Sequence, residues 1–316
     1  MKVAVSRRAI NGVLLLDKHA DLSSNTAVGW AKRLFNAEKA GHTGTLDPFA
    51  TGLLPICFGE AAKFARFMLD AEKAYRATLK LGQKSSTGDT EGDIIETRPV
   101  AVDIEKVHAA LAKFIGPQTQ IPPMYSALKQ DGVPLYKLAR QGLEVARAPR
   151  AINVLALTPI SLKGDELVIE TIVSKGTYIR VLSEDIGETL GCGAYLTALR
   201  RTATGGFELG QSATLESLDA MTIEQRDAML LPADSLALAL PEIHLDATDA
   251  KALQNGKTPR ISTDSTLLVD FAHYRCYDEK GVFLGVATAS DCNAGAATLT
   301  ALRLMATASA LPIENP

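Results

Sequence analysis

Ala40-Gly41-His42-Thr43-Gly44-Thr45-Leu46-Asp47-Pro48-Phe49-Ala50-Thr51-Gly52 is the stretch on which the reading of this chain turns. Three glycines and a proline in so short a span exclude a helix and a long strand. A rigid, tightly turned loop is expected. Pro48 fixes its own φ and pushes Asp47 out of the helical region. Leu46 and Phe49 are placed to anchor the loop in the core on either side of one carboxylate. His42 stands five positions upstream, which makes the stretch a candidate for chemistry. Taken alone, Asp47 opening a turn and His42 lying on the surface is the plainer account, because Asp before Pro is a common turn opener.

Outward from the loop, the neighbouring segments suit an α+β protein. Gly12-Val13-Leu14-Leu15-Leu16-Asp17-Lys18 reads as a buried strand. Asp21 to Asn25 supplies helix-start chemistry, and a helix follows from Thr26 to Asn36. Lys18 at the strand end is placed to meet a phosphate, or simply to lie exposed. Leu53 to Phe58 reads as a strand, and a helix is expected from Gly59 to Leu69. Lys73 to Gln83 alternates, with Tyr75, Ala77, Leu79 and Leu81 on one face. Tyr75 is therefore a core-face aromatic at the start of a strand.

Asp89-Thr90-Glu91-Gly92-Asp93 resembles a calcium loop only at first glance, since it lacks the required glycine and the closing glutamate. An amphipathic helix is expected from Ile104 to Ile115. Residues 120–152 then mix prolines, tyrosines and cations, among them Pro122, Pro123, Tyr125, Lys129, Tyr136, Arg147 and Arg150. Such an insertion suits looped RNA, whose bases stack and whose phosphates need cations; a hinge is the alternative. Glu166 to Val173 alternates as a strand and runs into Ser174-Lys175-Gly176-Thr177-Tyr178-Ile179-Arg180. A helix follows from Val181 to Leu190. Arg180 thus leaves a strand–helix junction, a good place from which to project a guanidinium into a cleft. Ser217 to Leu231 reads as one acidic helix. Strands are expected at Thr266–Val269, Tyr274–Tyr277, Val282–Thr288 and Thr298–Leu304.

Composition narrows the class. The chain has 316 residues, 47% hydrophobic and 22% charged, and carries a net charge of -3. Two domains are expected, 1–240 and a small β-rich 241–316. No apolar run reaches membrane-spanning length. Met1 to Arg8 lacks a signal-peptide core, so a cytoplasmic protein is expected. Cys57, Cys192, Cys276 and Cys292 show no metal or disulfide spacing, and free thiols are expected. The net charge argues against indiscriminate nucleic-acid coating. The first quarter is nevertheless basic, with Lys18, Lys63, Arg66 and Lys73 among its cations, and this suits one polyanionic partner.

Taken together, four blocks resemble the bacterial tRNA pseudouridine synthase B family. They are Gly12 to Lys18, Gly41 to Pro48 with its continuation through Lys63, Pro123-Met124-Tyr125-Ser126-Ala127-Leu128-Lys129, and Ser174 to Arg180. They occur in the family's order and span residues 9–210. One departure is His19, where the family usually has proline.

The resemblance implies the pseudouridine synthase fold, a mixed, largely antiparallel sheet with flanking helices and a cleft. A PUA-like accessory RNA-binding domain would follow it. It implies isomerisation of the T-loop uridine at tRNA position 55 without metal or organic cofactor, by a monomer acting on the T-arm stem-loop. On this view Asp47 is the nucleophile, Tyr75 packs on the target base and Arg180 pairs with Asp47. His42 enters the T-loop, Tyr178 and Leu199 line the base pocket, and Lys18, Lys63 and Lys129 meet RNA. Two other classes stand beside it. A tRNA-folding chaperone would act by binding alone, and a glycoside-type hydrolase would release free uracil.

Overall fold

The computed structural model of the chain describes residues 7–262, 268–293 and 295–306. The apolar runs make strands and the 3.6-residue patterns make helices. Strands β1 (Gly12–Lys18), β2 (Ala40–His42), β3 (Thr51–Phe58) and β4 (Lys73–Leu81) belong to one nine-stranded sheet. Across that sheet the order is β1, β3, Ala194–Thr204, β4, Glu166–Val173, Arg150–Lys163 and Gly116–Gln120. Short β2 borders β3, and Phe207–Glu208 borders Ala194–Thr204. The pairings are antiparallel except that of β3 with Ala194–Thr204.

That parallel pairing sets Arg201 beside Gly52. A Cβ on Gly52, whose φ is +100°, would stand 2.3 Å from the Arg201 carbonyl oxygen. Only glycine permits so close an approach.

Helix α1 (Ser24–Leu34) is capped by Ser23, whose hydroxyl accepts the Thr26 N–H. Ala27 and Ala31 face the sheet, and Phe35 meets Phe58 with ring centroids 4.8 Å apart. In β4 the buried residues alternate from Tyr75 through Ala77, Leu79 and Leu81. The helix Ile179–Thr189 packs against Ala194–Thr204 through Gly187, where a Cβ would stand 2.2 Å from the Ala194 nitrogen.

The C-terminal part forms a five-stranded sheet, in the order Glu242–His244, His273–Tyr277, Phe283–Asn293, Ala296–Leu304 and Arg260–Ser262. It packs on the N-terminal part of the chain through Phe283 and Phe64, whose ring centroids are 5.0 Å apart. Of the strand expected at Thr266–Val269, Thr266 and Leu267 lie outside the described residues, and Leu268 and Val269 are not strand.

Two expected helices divide. Gly59–Lys63 is a 3₁₀ turn, and a separate helix, Arg66–Leu69, follows it. Phe64, between them, is fully buried and turns into the contact with the C-terminal sheet. Ser217 to Leu231 divides into Leu215–Ala220 and Ile223–Ala228 because Thr222 and Gln225 form a new capping box. Cys57, Cys192 and Cys276 are buried free thiols, and Cys292 is half-buried.

Candidate active site

The loop Thr43–Ala50 joins β2 to β3. Its backbone polar groups have few ladder partners, so side chains must satisfy them. Ser24, in α1, does so twice, donating to the Leu46 carbonyl and accepting from the Leu46 N–H, both at 2.8 Å. The Lys18 ammonium donates to the carbonyls of His19, Leu22 and Pro48 at 2.9, 2.7 and 3.1 Å. Arg201 donates to Gly44, Thr45 and Leu53 carbonyls. Leu46 is buried in the main core and Phe49 packs against it. Asp47 is thus the polar tip of a loop pinned on both sides.

Opposite Asp47 stands Arg180, on the first turn of Ile179–Thr189. Its Nη2 lies 3.2 Å from Asp47 Oδ2. Arg180 is 4% exposed, and its guanidinium also donates to the carbonyls of Thr87 at 3.2 Å and Tyr125 at 2.6 Å. Its Nε lies 3.5 Å from Oδ2 of Asp89, a carboxylate that the Thr87 hydroxyl and Glu91 N–H fix in turn. Arg180 therefore bridges two carboxylates. Asp89 is buried, whereas the Asp47 side chain is 38% exposed, toward the cleft. Burial raises the Asp47 carboxyl pKa above its ordinary value, the Arg180 charge opposes the rise, and Asp89 adds to it.

Asp47, Arg180, Tyr75, Tyr178 and Leu199 line one cleft of about 320 Å³. The sheet brings Tyr75 and Leu199 from adjacent strands. Tyr178 is set by Gln120, which accepts its N–H at 3.0 Å and donates to its carbonyl at 3.3 Å. A larger cavity of about 810 Å³ lies between Arg66–Ala74 and Ser235–Leu240, and neither Asp47 nor Arg180 lines it. We place the site in the smaller cleft, where a carboxylate, its guanidinium and two aromatic rings converge. Among the described residues no group of three or more His, Cys, Asp or Glu is arranged to hold a metal ion.

The other expected site residues lie elsewhere. His42 ends β2 outside the cleft lining, and its Nδ1 accepts the Gly44 N–H at 3.2 Å. Burial, then the Arg201 charge, lower its pKa. Lys18 departs from the expectation of a phosphate contact. It is fully buried with its three N–H bonds on carbonyls, and burial pushes its pKa down to about 8. Lys63, on the surface, pairs with Glu60 and donates to the Leu304 carbonyl of the C-terminal sheet. Lys129 is exposed on a small hairpin formed by Lys129–Gln130 and Val133–Pro134. Sequence reasoning did not select Asp89 or Arg201. Asp89 appeared only in the discarded calcium motif, and a buried arginine gives no local signal.

Chemically, a carboxylate that lines a small cleft together with two aromatic side chains suits attack on one flat, enclosed ligand. Comparison with known proteins gives this arrangement a context. Residues 32–179 match the model of the TruB family pseudouridylate synthase N-terminal domain. Residues 180–237 match that of the tRNA pseudouridylate synthase B C-terminal domain. A tRNA pseudouridine synthase B from Thiobacillus denitrificans is 50% identical over 305 residues, covering 96% of this chain and 99% of the relative. One from Nitrosospira multiformis is 51% identical over 288 residues, covering 89% and 92%. Among solved structures, a Cbf5–Nop10–Gar1 complex contains a chain with a TM-score of 0.73 and 25% identity, covering 93% of this chain and 85% of that one.

Proposed function

Because the chain belongs to the TruB family of pseudouridylate synthases, we propose that it isomerises the T-loop uridine at position 55 of tRNA to pseudouridine, with Asp47 as the nucleophile. The observation that carries this reading is the Asp47–Arg180 pair, 3.2 Å apart, at the wall of a cleft shared with Tyr75.

The target base leaves its stack at a cost of about a few kcal/mol. His42, at the edge of β2, enters the space it vacates, and Tyr75, Tyr178 and Leu199 receive the base. Asp47 forms an adduct with the sugar or the base, which divides one hard step into easier ones. The N1–C1′ bond breaks, the base turns against Tyr75, the C5–C1′ bond forms, and the bond to Asp47 breaks again, which returns the free carboxylate. The proton lost from C5 balances the proton gained at N1. The net change is an isomerisation, so no oxidant, reductant or organic cofactor enters the balance. Arg180 keeps the carboxylate charged against the desolvation of the closed cleft.

The partner is the T-arm stem-loop of tRNA, bound by a monomer in the cytoplasm. Residues 1–240 form the catalytic unit. Lys129 and the insertion 120–152 grip the RNA, and the PUA-like 241–316 adds accessory contacts. The test is incubation with unmodified tRNA and with an isolated T-arm stem-loop, followed by mapping of pseudouridine. Modification confined to position 55 is expected. Modification elsewhere, or free uracil as main product, overturns the assignment. Improved tRNA folding with an inactive Asp47→Asn protein would instead mark binding as the useful output.

A further inference from the structure

Arg201 has a fully buried side chain, 1% exposed, and lies outside the cleft lining. Among the described residues it forms no ion pair. Burying a cation without an opposite charge is expensive, so the position calls for an explanation. Its neighbour Arg200 does meet a carboxylate, Asp17, at 2.6 Å. Arg201 instead spends its donors on three carbonyl oxygens. Nε reaches Leu53 at 2.7 Å, Nη2 reaches Gly44 at 3.2 Å and Nη1 reaches Thr45 at 3.4 Å.

Those acceptors are not scattered. Gly44 and Thr45 are on the limb entering the Asp47 loop, and Leu53 is on the limb leaving it. The backbone of Arg201 lies between β3, through Gly52, and β4, through Tyr75. One residue therefore touches both limbs of the nucleophile's loop and the strand of the aromatic ring. A planar fork with several fixed donors can hold three carbonyls in set directions, which a single ammonium cannot do.

We propose that Arg201 is a positioning residue: it ties the entering and leaving limbs of the Asp47 loop together and registers that loop against the strand carrying Tyr75. The role rests on the reading of Asp47 as the reacting carboxylate. Arg201 does not touch the base. It acts through the backbone that aims Asp47. A second effect follows from the same placement, since the charge reaches His42 and opposes its protonation.

The test uses the full chain with Arg201→Met and Arg201→Lys. For Arg201→Met, kcat on saturating stem-loop falls about 100-fold, the scale of an ångström-sized misplacement. Affinity for the stem-loop changes less than about three-fold, because the RNA-gripping surface is untouched. Amide exchange at Thr43, Leu46 and Ala50 accelerates, and the His42 ring titrates at higher pH by NMR. Arg201→Lys keeps the charge but loses the fork. Its kcat falls about ten-fold while the His42 titration stays near the parent's. A folded Arg201→Met with kcat within about two-fold of the parent overturns the proposal. If that variant does not fold, Arg201→Lys decides: parental kcat and parental loop exchange overturn it, and slowed turnover with intact affinity supports it. Asp47→Asn, measured alongside, separates the two readings. If that variant turns over normally, the nucleophile assignment fails, and the tie is then judged on loop exchange alone.

Discussion

Two non-regular segments of this molecule border the cleft at Asp47, one through Thr45 to Asp47 and the other through Ser126 to Leu128, and they are built in opposite ways. The loop Thr43–Ala50 is held by Ser24, Lys18 and Arg201, all buried, through side-chain bonds to its backbone. The insertion between Gln120 and Arg150 has a short hairpin and a five-residue helix, with Leu135 as its buried anchor. Two backbone bonds, Leu135 to Leu128 and Tyr136 to Ser126, fold it on itself. Its Ile121 and Leu143 are 54% and 52% exposed. Chemistry on a detached base needs fixed geometry, whereas gripping a polyanion tolerates adjustment. Changes in the first segment should therefore appear in kcat and stability, and changes in the second in affinity and salt dependence.

The largest effect is expected from Asp47→Asn. Pseudouridine formation should fall by about 10⁴-fold or more, as for loss of a covalent nucleophile. Stem-loop affinity should stay within about three-fold. Single-turnover assays and filter binding check both. Stability should behave differently. The folded-state pKa of Asp47 is raised, so the stability this group contributes is present at low pH and lost as pH rises through the folded value. At neutral pH the charged carboxylate is a burden on folding. Asp47→Asn should melt no lower than the parent at pH 7, and a clear drop in Tm breaks the account of burial. By the same shift, turnover of the parent should decline as pH falls through the raised pKa of Asp47.

Next comes Lys18→Met. It strands three carbonyls that the ammonium now satisfies. A loss of about 3 kcal/mol in urea unfolding is expected, together with slower turnover. Its pH signature is separate. Burial lowers the folded pKa from 10.5 to about 8, so the unfolded chain binds more protons between those values. Stability should rise with pH across that window in the parent, and this component should vanish in Lys18→Met.

In the insertion, the double change Lys129→Ala and Lys137→Ala should weaken stem-loop binding. A loss of about three- to ten-fold near 0.1 M salt is expected, with a slope against salt shallower by about one to two. kcat at saturation should not move, and a fall in kcat there would erase the contrast between the segments. The smallest effect belongs to Lys63→Ala. This lysine pairs with Glu60 and meets the C-terminal strand, so stability should drop by about 1 kcal/mol or less.

Much of this arrangement could be read from residues. The alternation from Lys73 yielded β4 and the inward Tyr75. The Gly-Pro density around Asp47 marked a loop, and the junction before Ile179 placed Arg180 at a helix start. What escaped reading depended on distant partners. Nothing near Lys18 says that the carbonyl of Pro48, 30 positions onward, will accept from it. Nothing near Asp89 says that an arginine 91 positions onward will reach it. The divided helix was legible in principle, since Thr222-Ile223-Glu224-Gln225 carries the capping-box pattern inside an otherwise helical stretch. The break at Phe64 was not, because it answers to an aromatic ring from the C-terminal sheet.

Gly187 carries a consequence for Arg180, seven residues away on the same helix. At about 1.5 Å per residue that is an arm of roughly 10 Å. The helix rests against the strand at Gly187 with no room for a methyl group, since a Cβ there would meet the Ala194 backbone nitrogen at 2.2 Å. Gly187 is thus the fulcrum and Arg180 the far end of a lever. A single carbon added at the pivot would tilt the rod and swing the guanidinium away from its carboxylate, so drift in this chain is constrained at a place remote from any reacting atom.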